Sequence, residues 1–221
     1  AQLISWVVSA ITFGTVIMFG CIGETINQKA GNLNLGVPGI MQLGGIGALT
    51  GAFIYESSTA TPNGTIGMIC ALLCAILASA LGSLIYSFLT VTLKANQNVT
   101  GLTLTIFGTG IANFFGGSLM KLSGGVGSIS VATTANVFKL RLPFISGKLG
   151  LFGSLFLNYG WMAYFCLVLA FVANYFLTKT RTGLNLRAVG ENPATADAAG
   201  INVTKYKYLA SIIGGAICGL G

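Results

Sequence analysis

From Ala1 to Gly23 the chain carries no charged residue, and four more uncharged runs follow: Gly36 to Tyr55, Ile66 to Leu93, Val99 to Met120 and Phe156 to Leu177. About 20 apolar residues in a helix cross about 30 Å of hydrocarbon. Inside a bilayer every backbone amide and carbonyl needs an internal partner, so spans of this kind are helices or closed barrels. Runs of this length read as helices. The expected fold is therefore all-α, a polytopic transmembrane helical bundle. Approximate spans are 3–23, 36–55, 66–93, 99–120 and 156–177, with a sixth opening at 208–221. Fourteen residues are too few to complete that sixth span. The 221 residues thus read as a single transmembrane domain, 1–221, of a longer protein that continues past its last residue.

The rest of the composition removes whole function classes. Only 7% of residues are charged, against about 25% in a soluble domain. There is no His, so Ser–His and Cys–His nucleophile pairs and imidazole metal sites are excluded from these residues. The five cysteines all sit in apolar runs and read as small buried side chains. Cys70 and Cys74 lie one helical turn apart but have no further ligand nearby.

Lys and Arg mark the cytoplasmic side of a membrane protein. The segment 179–207 holds Lys179, Arg181, Arg187, Lys205 and Lys207 and is placed inside. Counting back puts Lys94 and a Glu24–Lys29 connection inside as well, and the amino terminus outside. The Glu56–Gly64 loop and the Lys121–Ser154 segment then face outward. The second of these carries Lys121, Lys139, Arg141 and Lys148, Gly/Ser turns and a β-prone patch at Ile129–Ala132. It reads either as a cap over the outer mouth or as a landing surface for an extracellular partner.

With the acidic residues assigned to connections, no ionisable group falls deep within a span, which argues against a coupled secondary transporter and an intramembrane enzyme. The spans are instead rich in Gly and Ala, which permit close helix contact in lipid. Two stretches look interrupted: Ala30–Gly39 (AGNLNLGVPG) and Asn96–Gly110 (NQNVTGLTLTIFGTG). Interrupted helices point to a solute path. Asn34, Gln42, Asn98, Thr100, Thr103 and Asn113 offer neutral donors and acceptors there, for a polar uncharged solute or for interhelical hydrogen bonds. On the cytoplasmic loop, Asn192 is a good helix cap, Pro193 suits a first helical position, and Gly200 closes the turn. Two turns of small residues between them make a narrow rod, suited to an ordinary loop helix or to a cleft on another protein.

Two of these stretches resemble a known family. GETINQKAGNLNLGVPGIMQLGG (Gly23 to Gly45) and RTGLNLRAVGENPATADAAGINVTKYKYLASIIGGAICGLG (Arg181 to Gly221) are similar to permease subunits of bacterial ABC importers. The branch is the one that serves simple sugars, nucleosides and branched-chain amino acids, and the nucleoside or simple-sugar members are the most alike. The resemblance implies a permease with no enzymatic activity of its own, in the bacterial cytoplasmic (inner) membrane. It implies that Glu191, Asn192, Pro193, Ala194, Ala196, Asp197, Ala199, Gly200 and Ile201 form a coupling helix that docks on a cytoplasmic ABC ATPase. ATP and Mg would sit on that partner, since this chain has no GxxxxGK[ST] phosphate loop. A second permease subunit and an extracellular or periplasmic substrate-binding protein complete the implied assembly, with no cofactor on this chain. Relatives often carry Glu where this chain has Pro38, so no role of that carboxylate transfers. A passive channel or facilitator for small polar solutes and a branched-chain amino acid permease are the alternatives. The basic loops suit anionic lipid headgroups and call for no nucleic acid.

Overall fold

A computed structural model describes residues 2–59, 61–122, 131–138 and 159–221. The described residues form nine α-helices. They are α1 (Gln2–Lys29), α2 (Val37–Ser58), α3 (Gly64–Ser87), α4 (Gln97–Leu122), α5 (Ala132–Phe138), α6 (Trp161–Lys179), α7 (Arg181–Glu191), α8 (Pro193–Ala198) and α9 (Val203–Leu220). Five are long and apolar enough to cross a membrane: Trp6–Lys29, Val37–Ser58, Gly64–Thr92, Gln97–Leu119 and Trp161–Lys179. The last of these includes no residue before Trp161, and 156–158 of the expected fifth span lie outside the described residues.

The centre of the bundle is built from backbone, because glycine sits at the crossings. A Cβ on Gly23 of α1 would collide with the Gly214 carbonyl of α9, and one on Gly39 of α2 would lie 2.5 Å from the Leu104 carbonyl of α4. A Cβ on Gly44 of α2 would come within 2.6 Å of the Gly219 Cα of α9. α9 is thus wedged among α1, α2 and α3. Small residues let dispersion and close backbone approach do what the hydrophobic effect cannot do in lipid. Around this centre, Ile40, Tyr86, Leu104 and Cys218 join α2, α3, α4 and α9. Phe19, Ile22 and Cys166 attach α6 to α1. Large apolar side chains such as Phe13, Ile17, Ile106, Phe114 and Phe171 point outward, as they do on a surface that meets lipid.

The contacts sort the chain ends into two groups. The end of α1, the α1–α2 loop, the end of α3, the start of α4, α7 and the start of α9 meet at one end of the bundle. The end of α2, the start of α3, α5 and the start of α6 lie at the other. Lys29, Lys94, Lys179, Arg181, Arg187, Lys205 and Lys207 belong to the first, which we call the basic end. Among the described residues Lys121 is the basic residue of the opposite end; Lys139, Arg141 and Lys148 lie outside them.

Three expectations need correction. Glu24–Lys29 is not a connection: α1 continues through it to Lys29, which places Glu24 inside a helix and inside an apolar span. The stretch Asn96–Gly110 is not interrupted either. α4 runs unbroken from Gln97, and its threonines return their hydroxyls to the helix, Thr103 to the Val99 carbonyl (2.8 Å) and Thr109 to the Thr105 carbonyl (2.8 Å). Alternating Thr therefore signals back-bonded helix here, a pattern open to Ser and Thr in any helix. The irregular backbone lies just before it, in a π-helical turn at Phe88–Thr92 followed by Lys94 at φ 52°. In the Ile129–Ala132 patch, Ala132 opens α5 rather than a strand, and 129–130 lie outside the described residues.

Candidate functional site

The segment 181–202 forms a compact helical hairpin on the basic end. α6 ends at Thr180, whose hydroxyl donates to the Phe176 carbonyl (2.6 Å) and accepts from the Gly183 amide (3.1 Å), so one side chain closes α6 and caps α7. α7 buries Gly183, Leu186 and Val189, and Leu186 joins Ile26, Ala30, Leu177 and Ala210 in one apolar cluster. Asn185 donates to the Tyr206 hydroxyl (3.0 Å) and fixes α7 against α9. Asn192 then serves two helices. Its amide donates to the Ala188 carbonyl (3.0 Å) at the end of α7, and its Oδ1 accepts from the Thr195 amide (3.1 Å) at the start of α8. Pro193 occupies the first position of α8, where no amide is required. Gly200 takes φ +79°, and its amide and that of Ile201 close onto the Asp197 (2.9 Å) and Ala196 (3.0 Å) carbonyls.

α8 itself is presented outward. Of 191–200 only Ala196 is buried; Glu191, Asn192, Pro193, Ala194, Asp197, Ala199 and Gly200 are exposed, and Ile201 is half-buried. Glu191 pairs loosely with Arg187 one turn earlier, at 3.9 Å and mostly in solvent, which contributes little to stability. A shallow groove of about 230 Å³ runs between α7 and α8, lined by Ala188, Glu191, Asn192, Thr195, Ala196, Ala199 and Ile201. The arrangement is a capped, small-featured ridge carried on a half-buried helix.

Beneath the hairpin lies a polar centre that the sequence does not advertise. Asn32 Nδ2 donates to the Lys207 carbonyl (3.2 Å) and to Ser211 Oγ (3.1 Å). Ser211 donates to Asn27 Oδ1 (2.7 Å), and Asn27 Nδ2 donates to Glu24 Oε2 (3.2 Å). Glu24 Oε1 accepts from the Asn34 amide (3.0 Å). Every donor in this chain points toward the Glu24 carboxyl, which ends it as an acceptor. Asn27, Asn32, Asn34 and Ser211 are all buried, and their mutual bonds offset the cost of that burial, while Asn32 Oδ1 is left without a hydrogen-bond partner among the described residues. Glu24 also borders an open cavity of about 520 Å³ between α1 and α2, with Gly20, Cys21, Gln28, Val37, Pro38 and Met41. The signal available in the sequence is the spacing: Glu24 and Asn27 three apart on one helix face, then Asn32 and Asn34 in the turn.

The six candidate path residues do not converge. Asn34 is buried and its Oδ1 is used by the Gly36 amide (2.8 Å), which shapes the α1–α2 turn. Thr100 is buried at the first turn of α4, where its amide bonds the Asn96 carbonyl (3.0 Å). Asn98 is exposed on the same turn. Gln42 is exposed on α2, on the face that Pro38 and Gly45 share. Thr103 and Asn113 are exposed on α4. At 100° per residue, Thr103 stands about 200° round the helix from Gly101, which meets the α1–α2 loop at Leu35 and Gly36, so it faces away from that contact.

Residues 6–221 match the family described as "Branched-chain amino acid transport system / permease component". The chain is 33% identical over 217 residues to "Putative glucose ABC transporter permease protein TsgC13" of Haloferax volcanii, covering 96% of this chain and 59% of that protein. It is 29% identical to "Nucleoside ABC transporter permease protein NupC" of Lactococcus lactis, covering 97% and 65%. It is 28% identical to "Guanosine ABC transporter permease protein NupQ" of Bacillus subtilis, covering 100% and 66%. The chain thus spans 59–66% of the length of these relatives. No solved structure matches it.

Proposed function

This chain belongs to the branched-chain amino acid transport system permease family, and on that premise we propose that it is a membrane-spanning subunit of an ATP-driven importer in the bacterial cytoplasmic membrane. The observation that carries the reading is α8: a capped, outward-facing helix of small residues, fixed to the bundle through α7 and Asn192. A cytoplasmic ATPase receives that ridge, and its nucleotide-driven closure is delivered to the bundle by alternating access, with no covalent chemistry on this chain. ATP and Mg belong to that partner. A second permease subunit completes the pathway, and a substrate-binding protein delivers the solute from the other side.

For the solute, the names of the relatives favour nucleosides or related simple sugars. Neutral amides and hydroxyls on this chain suit such ligands, which carry many hydroxyls and no fixed charge.

Replacing Pro193 or Ala199 by Trp inserts a bulky ring into the exposed ridge without touching the core. Substrate-stimulated ATP hydrolysis is then lost while the substrate-binding protein still binds its solute. Normal stimulation in both variants would remove α8 from the coupling role. Uptake of labelled guanosine, ribose and leucine by cells lacking the gene decides the solute. A defect confined to leucine would overturn the choice.

A further inference from the structure

The α1–α2 loop touches the base of the candidate docking hairpin backbone to backbone. A Cβ on Gly190 of α7 would collide with the Lys29 carbonyl and come within 3.0 Å of the Gly31 amide nitrogen. One on Gly31 would lie 3.2 Å from the Gly190 Cα, and Gly31 sits at φ +78°, where side chains are rarely accommodated. No rotatable side chain intervenes at this contact, so displacement of α7 is not absorbed by rotamer changes. Close-packed interiors transmit strain in this way.

From Gly31 the same loop fans out to four helices within four residues. Asn32 bonds α9 through Lys207 and Ser211. The Leu33 carbonyl accepts from the Tyr86 hydroxyl of α3 (2.7 Å), and the Leu33 amide donates to Gln97 of α4 (2.8 Å). The Asn34 amide holds Glu24 of α1, and the Leu35 carbonyl accepts from Thr105 of α4 (3.1 Å). Tyr86 is fully buried and stands two residues before the π-helical turn at Phe88–Thr92, which continues α3. π-turns of this sort occur often at functional positions.

We infer that the 30–36 loop is the relay between the docking hairpin and helices α3 and α4, with Gly190 and Gly31 as positioning residues at its input and Tyr86, Gln97 and Thr105 at its output. The inference rests on the docking role of α8, and it adds a route. Motion of α7 moves the loop through the Gly190–Gly31 contact, and the loop carries the start of α4 and the end of α3 with it.

The test uses the complete transporter with its ATPase and substrate-binding protein. Gly190→Ala places one methyl group at the input. The expected result is an ATPase that still co-purifies and hydrolyses ATP at its basal rate, with substrate stimulation reduced about tenfold, within the span of ordinary coupling energies. A cysteine placed at Thr103 reports on α4 directly. Its maleimide labelling changes with a non-hydrolysable ATP analogue in the parent chain, after subtraction of the native thiols, and that change is lost in Gly190→Ala. Tyr86→Phe removes one output bond and keeps the ring in the core, reducing stimulation about fivefold, as one hydrogen bond warrants. Wild-type stimulation and labelling in either assembled variant overturns the relay. Should Gly190→Ala fail to assemble, Tyr86→Phe decides by the same two readouts. The docking reading stands or falls separately, on Pro193→Trp: uncoupling there with normal coupling in Gly190→Ala keeps the docking and discards the relay.

Discussion

The two ends of the bundle are held together in different ways. At the basic end, a seven-residue turn between α1 and α2 is bonded to α1, α3, α4 and α9, and its Gly31 packs on α7. At the opposite end, the short helix α5 is held to α2 by one carboxylate: Glu56 Oε1 accepts from the amide (2.8 Å) and the hydroxyl (2.7 Å) of Thr134. That is a helix cap supplied from a distant residue, at the helix end where amides lack partners and negative charge is favoured. Gly64 and Gly67 of α3 complete the seat by letting α5 approach closely. Among the described residues, the turn at the basic end is therefore hydrogen-bonded to four helices, whereas α5 at the opposite end is held by one carboxylate and by packing on α3 and on Trp161 of α6.

The largest effect should come from filling a backbone contact at the centre of the bundle, on which the basic end rests. Gly23→Leu drives a side chain into the Gly214 carbonyl, and overpacking of that kind costs about 3 kcal/mol when the neighbours cannot yield. Gly14, on the same helix and nearer the other end, has nothing within 4 Å of the place a Cβ would take, so Gly14→Leu should leave stability unchanged. The two variants share residue type and helix and differ in that Gly23 is buried against α9 while Gly14 is exposed. Thermal unfolding in detergent should separate them, and equal loss from both would dissolve the distinction between packed and open glycines.

Next in size is Glu24→Leu, which removes the acceptor where the hydrogen-bond chain from Asn32 ends. Asn27 Nδ2 and the Asn34 amide are then left without their partner, at about 2 kcal/mol for bonds to a carboxyl group. Glu24→Gln should recover about half, because one amide oxygen can accept while its NH₂ faces a donor. A Gln variant less stable than the Leu variant would show that the chain does not run in the direction described. Glu56→Ala is the matching change at the other end, at about 1 kcal/mol, the usual value of a helix cap. Its signature is local: amide exchange across 132–138 should accelerate while the global unfolding midpoint barely moves. A global shift as large as that of Glu24→Leu would mean that both ends are equally integrated.

Much of this is legible in the sequence, and the parts that are not share a cause. Uncharged runs locate the helices because apolar length is a local property of the chain. Asn192, Pro193 and Gly200 bound α8 because capping is local too. Glu24 is misplaced by a reading in which a carboxyl ends a span, whereas Asn27 and the Asn34 amide satisfy it within one. The partners of Asn32 are 175 and 179 residues away in sequence, and no spacing rule reaches them. Asn96–Gly110 looks interrupted when its amides and alternating Thr are read as polar breaks in a span, yet Thr103 and Thr109 return their hydroxyls to the helix. Asn34 looks available to a solute because an amide in a Gly-rich turn suggests an open path, while its side chain shapes the turn.

The smallest expected effect on stability falls where the two ends are joined, along α4. Thr103 is exposed and its hydroxyl already bonds the Val99 carbonyl, so Thr103→Val should change unfolding by less than about 0.5 kcal/mol. Asn113→Leu, likewise exposed on α4, should be similarly mild. If this outward face lines a solute path in the assembled transporter, both variants lose uptake without losing stability or ATPase assembly. A buried polar site deprived of a hydrogen bond discriminates strongly against its ligand, so the loss should show in the concentration dependence of uptake more than in the maximal rate. If the face meets lipid instead, replacing hydroxyl and amide by methyl groups is harmless or mildly stabilising, and uptake is unchanged. The pair therefore separates a helix that merely carries displacement from one that also touches the cargo.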